Sequence, residues 1–304
     1  MNVLSLFDGM SCGQIALERS GIEVDNYFAS EINKYSIKVT QDNYPDTVQL
    51  GGVKNINRAD INNLPEIDLL IGGSPCQNLS KAVINRENYN QGLEGEKSKL
   101  FYDYVRILDV VRELSPGVKF LLENVESMSK KDKEIITETL GVEPIMINSG
   151  LVSAQDRKRY YWTNIQVEGV PKDKGLVLED ILQPAAEVDK LHNNSRMNFW
   201  YDRDYRFHGL DKRVCATLDL GNYESINRVY SPRFKAPTLT TARGGHRQKK
   251  VYQDGRCRKL TPTEYERLQT VPEGYTDCVS NTRRYNMLGD GWTVDVIAHI
   301  LEQI

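Results

Sequence analysis

Residues 1 to about 165 alternate short apolar runs with stretches whose apolar positions recur at helical spacing. The runs NVLSLF, NYFASE, IDLLIGG and KFLLEN predict strands, and IDLLIGG is apolar nearly throughout, as in a strand covered on both faces. A helix ended by Pro116 is predicted from the spacing of Leu100, Phe101, Tyr104, Val105, Leu108 and Val111. This alternation indicates an α/β fold class with a mostly parallel sheet and helices on both faces.

Further helices and strands complete this alternation. GQIALERSG predicts a helix that stops at Gly21, residues 33–43 predict another before Pro45, and KDKEIITETLG predicts one that ends at Gly141. EPIMINS and RYYWTNI predict two later strands. In such sheets ligands bind beyond the carboxyl ends of the strands, so the segments GGSPC and ENV are expected at the functional edge.

The pattern changes near residue 181, where short β-like runs rich in Gly, Asn, Arg and aromatic residues replace the alternation. Residues 181–261 therefore predict a smaller, irregular, β-rich domain. TPTEYERLQ then predicts a helix, with Thr261 and Glu264 as a capping box and Pro262 at its first position. We assign residues 1–180 and 289–304 to a catalytic domain and 262–288 to a hinge region. The final helix, TVDVIAHILEQI, is expected to pack back on the sheet.

Charge is distributed unevenly along the chain. The net charge is −3 overall, but residues 181–261 carry 16 Lys and Arg against 8 Asp and Glu, a net charge of +8. The remainder of the chain stands at −11. A basic segment on an acidic body is typical of a local polyanion site, although chance clustering on a solvated surface gives the same pattern.

Composition argues against several classes of protein. There is no run of about 18 apolar residues, so no membrane span is expected. The start, MNVLSLFDGM, lacks the features of a secretory leader, which favours a cytoplasmic protein. Five cysteines without CxxC spacing and four scattered histidines predict neither a disulfide framework nor a metal site.

Three features at predicted strand ends suit a nucleoside cofactor. LFDGMSCG is a glycine turn that lets a ligand approach the backbone at a helix N-terminus. Glu31 ends the second strand, where a carboxylate can accept hydrogen bonds from ribose hydroxyls, and Asp60 follows a predicted third strand, where it could bind an adenine amino group. The turn alone is also typical of a tight connection, and either carboxylate alone is more typical of a surface residue. Together the three features describe a nucleoside cofactor across the first three strands.

Cys76 lies beyond the strand IDLLIGG, after Pro75, rather than inside an apolar run. The thiolate is the nucleophilic form of cysteine, and an exposed position at a strand end suits a nucleophile. Glu123 in ENV and the segment QDRKR at residues 155–159 are expected at the same edge. A thiolate, a carboxylic acid and an arginine together suit addition to a flat, electron-poor heterocycle.

The order of these motifs resembles that of the cytosine carbon-5 DNA methyltransferases. The resemblance spans nearly the whole chain and rests on LFDGMSCG, Ser30-Glu31, Asp60-Ile61, GGSPCQNLS, ENV, QDRKRYYW, RVYSPRFKAPTLTTARGG, RKLTPTEYERLQTVPEGY and MLGDGWTVDVIAHIL. Core segments are similar to the eukaryotic de novo enzymes, and LTPTEYERLQ is similar to bacterial and phage members. The resemblance implies a Rossmann-like S-adenosylmethionine-dependent methyltransferase fold, with residues 181–261 as the target-recognition domain.

The resemblance also implies S-adenosylmethionine as methyl donor, with S-adenosylhomocysteine as product. The cofactor contacts carry over to Phe7, Asp8, Gly9, Gly13, Glu31, Ile32, Asp60, Ile61, Pro75, Leu100, Asp290 and Trp292. Two positions depart from the family pattern. Ile32 stands where many relatives carry an aromatic residue that stacks on adenine, and Asp290-Gly291 replaces the Asn-Ser that is common in bacterial relatives.

By the same resemblance, Cys76 adds to carbon 6 of cytosine, Glu123 shares a proton with ring nitrogen 3, and Arg159 binds the carbonyl oxygen at position 2. Arg157 is placed in the same catalytic group, as support for the pocket or a phosphate. The base has to be flipped out of the duplex to be reached. The polar segment at residues 77–97, which contains Gly92 and Gly95, is expected to close over DNA as a lid.

Double-stranded DNA is the implied partner, in a bacterial or phage-infected cell, with a cognate restriction endonuclease and a monomer on DNA as further expectations. DNA contacts are expected from Ser80, Arg228, Arg233, Thr240, Arg243 and Arg247, with Lys249 and Lys250 as further phosphate candidates. Base readers are expected in GNYESIN and RGGHRQ. The target sequence does not follow from the chain.

Three other readings compete. A tRNA cytosine-5 methyltransferase shares the catalytic core, but its Cys-Phe-Thr signature is absent from the recognition region. A catalytically silent DNA-binding regulator would not need Cys76, Glu123 and Arg159. A dinucleotide oxidoreductase fits the sheet but leaves SPCQ, ENV and the basic segment without a role.

Overall fold

The structure, a computed structural model, describes residues 1–75, 79, 92–95, 98–184, 197–199, 213–218, 223–242 and 246–304. Its strands are β1 (Asn2–Leu6), β2 (Asn26–Ser30), β3 (Val48–Gln49), β4 (Leu69–Gly73), β5 (Lys119–Val125), β6 (Ile145–Asn148), β7 (Gln155–Asp156), β8 (Lys158–Thr163), β9 (Met197–Phe199), β10 (Val214–Leu218), β11 (Arg228–Tyr230), β12 (Ala236–Pro237), β13 (Lys250–Gln253) and β14 (Arg256–Lys259). Its α-helices are α1 (Cys12–Arg19), α2 (Lys34–Asn43), α3 (Arg58–Asn62), α4 (Leu100–Leu114), α5 (Lys130–Leu140), α6 (Glu224–Asn227), α7 (Pro262–Leu268), α8 (Asn281–Asp290) and α9 (Val294–Leu301).

A seven-stranded sheet in the order β3-β2-β1-β4-β5-β8-β6 forms the centre of the first part of the chain. The strands from β3 to β5 run parallel, and β8 runs antiparallel to both of its neighbours. Parallel neighbours require crossover connections, which α1, α2 and α4 provide. The predicted α/β class with a mostly parallel sheet is confirmed.

Helices cover both faces of this sheet. On one face, Leu4 and Leu70 pack with Phe101 of α4 in a large buried core. On the other face, Gly13 of α1 lies against Ile71, because neighbouring strand residues point to opposite sides. The predicted last helix is α9, which packs against α1.

The helix ends follow the capping residues in the sequence. Asn33 and Ser129 accept main-chain hydrogen bonds at the starts of α2 and α5, and Gly141 ends α5 in the left-handed conformation, at φ 73°. At the start of α7, Thr261 and Glu264 form the predicted capping box, with Pro262 in the first turn. Among the described residues, no helix combines the length and apolar character needed to cross a membrane.

A five-stranded sheet in the order β14-β13-β11-β10-β9 organises the later part of the chain. Asp254 and Gly255, both at positive φ, turn β13 into β14, and such residues suit a two-residue hairpin. Val229 and Cys257 are fully buried in a small apolar cluster on this sheet. The predicted β-rich character of this region is therefore present.

Packing divides the chain into two compact units. The first comprises Met1–Asn148, Lys158–Val170 and Val294–Ile304, and the second comprises Ser149–Arg157 and Pro171–Thr293. The second unit thus takes in residues 149–157 and the expected hinge at 262–288. The segment 149–157 belongs there because β7 pairs with β12. The predicted domain boundaries, which place residues 149–157 in the catalytic domain, stay a prediction.

Candidate active site

Four parallel strands of the first unit end at one edge of the sheet. The pairing register sets Leu6 opposite both Ser30 and Gly72, and Gly73 opposite Glu123. The connections that follow β1, β2, β4 and β5 therefore start side by side. The connections after β1, β2 and β4 contain seven of the residues that the sequence assigns to the cofactor and to the chemistry, namely Phe7, Asp8, Gly9, Glu31, Ile32, Pro75 and Cys76.

The loop between β1 and α1 has a strained backbone. Phe7, Gly9 and Ser11 have φ values of 58°, 62° and 58°, in the left-handed region that favours glycine. For the two non-glycine residues this conformation costs about 1–3 kcal/mol each, so neighbouring contacts must hold it. One of them is the hydrogen bond that the main-chain N–H of Asp8 donates to the carbonyl of Ser30, at 3.1 Å.

The carboxylate of Asp8 holds this loop from inside. It accepts a hydrogen bond from the hydroxyl of Tyr27, at 2.8 Å, and another from the hydroxyl of Ser11. The Ser11 hydroxyl in turn accepts from Nε2 of Gln14, at 3.2 Å. Burial raises the pKa of Asp8 to about 6, against the opposing effect of the hydrogen bonds from Ser11, Ser5 and Tyr27. The predicted cofactor contact of Asp8 stays a prediction, because these described partners of its side chain are protein groups.

Glu31 joins two loops through its carboxylate. One oxygen accepts from the main-chain N–H of Gly9, at 2.8 Å, and the other accepts from the N–H groups of Ile32 and Asn33, at 2.7 and 2.8 Å. A carboxylate has about four acceptor positions, so these three bonds leave capacity for a ribose hydroxyl. Beside it, Ile32 is 81% exposed and presents an apolar surface to solvent.

Other predicted cofactor residues are engaged in packing. The side chain of Ile61 is 3% exposed in the core, and the predicted cofactor contact of this residue stays a prediction. A Cβ on Gly13 would come within 2.8 Å of the Tyr27 hydroxyl, so this glycine permits close helix–strand packing. Asp60 lies on α3 and accepts from the main-chain N–H of Asn57, at 2.8 Å, as part of a capping box. Pro75 follows β4 and Leu100 begins α4.

Glu123 and Arg159 form an ion pair at the end of β5. Nε of Arg159 lies 2.7 Å from Oε1 of Glu123, and the two side chains are only 14% and 11% exposed. The pairing of Val125 with Arg159 in the antiparallel ladder brings the two residues together. The sequence-based expectation that Glu123 and Arg159 lie close together is therefore met by this ion pair.

Asn124 connects the same strand to the segment that leads to Cys76. Its Nδ2 donates to the main-chain oxygen and to the hydroxyl of Ser74, at 3.2 and 3.0 Å. Sequence reasoning used ENV only for its carboxylate and missed this amide. Cys76 itself lies outside the described residues, and Pro75 is the last one described before it.

Arg157 is placed differently from Arg159, although only two residues separate them. Its guanidinium is 5% exposed and donates to four main-chain carbonyls of the second unit. Asp290 and Trp292, the two predicted cofactor residues of the second unit, are exposed and half-buried respectively. The expected role of Arg157 in the catalytic group, as support for the pocket or a phosphate, stays a prediction.

The predicted DNA-binding residues fall into several classes. Arg228 pairs with Glu224, at 2.7 Å, whereas Arg233, Thr240 and Arg247 are exposed. Ser80 and Arg243 lie outside the described residues.

The two lysines that follow Arg247 differ from each other. Lys250 is 1% exposed, and its Nζ donates to the carbonyls of Ile226 and His246, at 2.7 and 2.6 Å. Its expected phosphate contact is therefore wrong, because the ammonium is used inside the fold. Burial, with smaller effects from Arg228 and Arg213, lowers the pKa of its neighbour Lys249 to about 8.

The expected lid at residues 77–97 falls mostly outside the described residues. Its described part includes the short 3-10 helix Gly92–Glu94. There, Leu93 is 2% exposed, and its main-chain N–H donates to Asp132, at 3.0 Å. This end is anchored to the core, and closure of the segment over DNA stays a prediction. Within the described ranges, no group of three or more His, Cys, Asp or Glu could hold a metal ion.

This edge of the sheet, with the braced loop after β1 and the acid–arginine pair, is the kind of site found in methyltransferases of nucleic-acid bases. The chain belongs to the C-5 cytosine-specific DNA methylase family, whose model matches residues 1–304. The predicted cytosine-5 DNA methyltransferase is thereby confirmed, and the tRNA alternative is the less supported one.

Individual relatives agree with this assignment. The chain is 27% identical over 327 residues to the type II methyltransferase M.HhaI of Haemophilus parahaemolyticus, covering 100% of this chain and 94% of the relative. A putative DNA modification methyltransferase of an Escherichia coli prophage has the same fold, with a TM-score of 0.67, 19% identity and coverage of 100% and 98%. Spodoptera frugiperda DNMT2 has it too, with a TM-score of 0.68, 18% identity and coverage of 99% and 98%.

Proposed function

We propose that this protein transfers the methyl group of S-adenosylmethionine to carbon 5 of a flipped-out cytosine in duplex DNA, through a covalent adduct of Cys76. The observation that carries the proposal is the Glu123–Arg159 pair between β5 and β8, because Asn124, next to Glu123 on β5, donates a hydrogen bond to Ser74. Ser74 is two residues from Cys76 in the chain. The acid, the arginine and the thiol of Cys76 are the three groups that the chemistry needs.

The first unit has features that fit the cofactor. Glu31 retains acceptor capacity for ribose hydroxyls, and the exposed face of Ile32 offers an apolar surface for adenine. The remaining proposed contacts are assigned to Phe7, Gly9, Asp60, Pro75, Leu100, Asp290 and Trp292. The bound cofactor supplies an electrophilic methyl group on a sulfonium sulfur.

Three side chains then act on the cytosine. The thiolate of Cys76 forms a bond to carbon 6, which moves ring electrons toward carbon 5 and makes that carbon nucleophilic. Glu123 shares a proton with ring nitrogen 3 and so limits the charge that builds up on the ring. Arg159 donates to the carbonyl oxygen at position 2 and fixes the ring's orientation. After carbon 5 has gained the methyl group, its proton leaves to a base, the sulfur–carbon bond breaks and the aromatic ring is restored.

The DNA substrate has to release the target base before this chemistry can begin. Extruding a base costs a few kcal/mol, which binding in the pocket and along the backbone offsets. We assign the backbone and base contacts to Ser80, Arg228, Arg233, Thr240, Arg243 and Arg247. The net charge of +8 over residues 181–261 supports this assignment, because phosphate neutralisation dominates the affinity of such proteins for DNA.

Methylation of defined substrates tests the function. The protein is incubated with methyl-labelled S-adenosylmethionine and either duplex DNA or tRNA, with Cys76→Ala as the inactive control. Label is expected in DNA at cytosine carbon 5, and bisulfite sequencing of that DNA gives the target site. Label only in tRNA, or equal labelling by Cys76→Ala, would refute the proposal.

The names of several relatives as type II methyltransferases support a finer proposal about the partner. We infer that the protein acts as a monomer on DNA in the cytoplasm of a bacterial or phage-infected cell, alongside a restriction endonuclease of the same specificity. DNA methylated by the protein should resist an endonuclease that recognises the site found by bisulfite sequencing. Full cleavage of that DNA would contradict the inference.

A further inference from the structure

Arg157 makes an unusual set of hydrogen bonds for an arginine in a predicted catalytic motif. It is 5% exposed, and two of its nitrogens donate to main-chain carbonyls of the second unit. The acceptors are Leu239 at 3.3 Å, Gly289 at 3.3 Å, Asp290 at 3.4 Å and Gly291 at 3.1 Å. Three of these four belong to the last turn of α8 and its C-cap residue, Gly291, so the planar guanidinium fixes consecutive peptide units of that turn.

Gln269 holds the same turn through its side-chain amide. It is fully buried, and its Nε2 donates to the carbonyls of Leu288 and Gly291, at 2.7 and 2.9 Å. Its Oε1 accepts from Nε2 of Gln155, at 3.0 Å, and from the hydroxyl of Thr293, at 2.8 Å. Every acceptor and donor position of the amide thus has a defined partner, which locks its orientation.

The turn also lies directly against a second segment of the same unit. A Cβ on Gly289 would overlap the main-chain carbonyl of Thr240. The neighbouring Leu239 donates its main-chain N–H to Oε1 of Gln155, at 2.7 Å, and its carbonyl accepts from Arg157. The turn and this segment are therefore held as one rigid piece.

Arg157 and Arg159 provide an internal comparison. Both belong to the motif QDRKR, but Arg159 pairs with Glu123 in the first unit, whereas Arg157 is enclosed by carbonyls of the second unit. To reach a base or a phosphate, Arg157 would have to give up buried charge-assisted hydrogen bonds, and each abandoned carbonyl would be left to find another donor.

We propose that Arg157 is a positioning residue that acts, together with Gln269, through the turn at residues 288–291. This inference rests on the proposed function, in which Asp290 and the adjacent Trp292 contact the cofactor. By fixing the turn, Arg157 sets the affinity for the cofactor, while Arg159 acts on the base.

Paired lysine substitutions test this division of roles. Lysine keeps the charge but loses the planar fork that spans several carbonyls. Arg157→Lys is expected to weaken S-adenosylhomocysteine binding about tenfold, measured by calorimetry without DNA at a temperature where both variants are folded. The KM for S-adenosylmethionine should rise similarly, with kcat reduced by less than about threefold.

Arg159→Lys is the matched variant and should give the opposite pattern. Its kcat is expected to fall about 100-fold, with the affinity for S-adenosylhomocysteine unchanged. A loss of folding would lower both kcat and the binding of S-adenosylhomocysteine in either variant. It would not lower kcat in one variant and binding in the other. If Arg157→Lys instead bound S-adenosylhomocysteine within about twofold of the parent and lost kcat as Arg159→Lys does, the positioning role would be refuted.

Gly289→Ala disturbs the turn without touching Arg157, so it serves if Arg157→Lys does not fold. Its added Cβ should push the turn away from Thr240 and weaken cofactor binding about tenfold or more. Gly117→Ala, at a site with no atom within 4 Å of the new Cβ, is the control and should bind normally. If Gly289→Ala binds like Gly117→Ala, the inference fails. If the parent protein does not bind S-adenosylhomocysteine, the proposed function fails instead.

Discussion

Charged side chains are used differently in the two compact units. In the first unit, Asp8 and Glu31 lie at strand ends with part of their surface exposed, and the Glu123–Arg159 pair retains some exposure. In the second unit, Arg258 and Glu264 are both fully buried against each other, with Nη2 and Oε1 at 2.5 Å. The first set lies at the carboxyl edge of the sheet, where parallel sheets of this kind generally bind ligands, and the second is enclosed by protein.

The comparison separates charges that serve chemistry from charges that hold the fold. A buried pair whose partners are all protein groups leaves an uncompensated charge when one partner is removed, and that is strongly destabilising. A carboxylate such as Asp8, whose pKa is raised by burial to about 6, lowers stability at neutral pH. Substitution of a charge in the first set should therefore reduce activity more than stability, and substitution in the buried pair of the second unit should reduce stability.

The largest effect is expected at Glu123, on activity rather than on stability. Glu123→Gln keeps the shape of the side chain but removes its proton-sharing role, so single-turnover methylation should slow by about 10²–10⁴-fold. The unfolding free energy should fall by only about 1–3 kcal/mol, because the amide oxygen can still accept a hydrogen bond from Arg159 although the largely buried ion pair is lost. The exposed Glu143 provides the control variant Glu143→Gln, which should match the parent. A Glu123→Gln enzyme that methylates as fast as this control would show that Glu123 does not serve the chemistry.

The second effect is on stability and is expected at Arg258. Its two terminal nitrogens donate to both oxygens of Glu264, at 2.8 and 2.5 Å. Arg258→Met leaves the carboxylate buried without its partner and should destabilise the protein by about 3–5 kcal/mol in urea unfolding. Arg256→Met, at an exposed position of the same strand, should change stability by less than about 0.5 kcal/mol. Equal stability of the two variants would show that the buried pair does not hold the second unit.

The smallest effect concerns pH and Asp8. Burial raises the pKa of Asp8 from 3.8 to about 6, so the native state binds this proton more tightly than the unfolded state does. The contribution of Asp8 to stability therefore falls as the pH rises from about 4 to about 6. Asp8→Asn should remove that fall and stabilise the protein at pH 7 by about 1–3 kcal/mol.

The same substitution should weaken cofactor binding, because the hydroxyls of Ser11 and Tyr27 lose the carboxylate that braces the strained loop. Thermal unfolding across this pH range, with the exposed Asp42→Asn as control, measures the stability change. If the stability of Asp8→Asn depends on pH as that of the parent does, Asp8 is not a charge that lowers stability.

The sequence predicts the sheet and the placement of its functional edge, because apolar periodicity and capping residues are local signals. The cap at Asn33, the glycine stop at Gly141 and the capping box at Thr261 all mark helix ends where the structure has them. Register then follows from the alternation of side chains, which is why Glu123 and Arg159 could be expected to meet.

The differing roles of Arg157 and Arg159 could not be predicted from their spacing. Two residues apart on one continuous strand, they would lie on the same face. The strand is interrupted, since β7 ends at Asp156 and β8 begins at Lys158, and the chain passes from the second unit to the first at this point. The burial of Lys250 could not be predicted from the sequence either. The carbonyls of Ile226 and His246 that accept from its ammonium come together only in the folded chain.

The central claim is that Cys76 attacks cytosine while Glu123 and Arg159 hold the ring. Duplex DNA with 5-fluorocytosine at the target site tests this directly, because fluorine at carbon 5 cannot leave as a proton does and the adduct is trapped after methyl transfer. With S-adenosylmethionine present, the account predicts a denaturation-resistant complex in which mass spectrometry finds the DNA bonded to Cys76, and none with Cys76→Ala. An adduct that persists in Cys76→Ala, or no adduct on a duplex that the enzyme otherwise methylates, would contradict it.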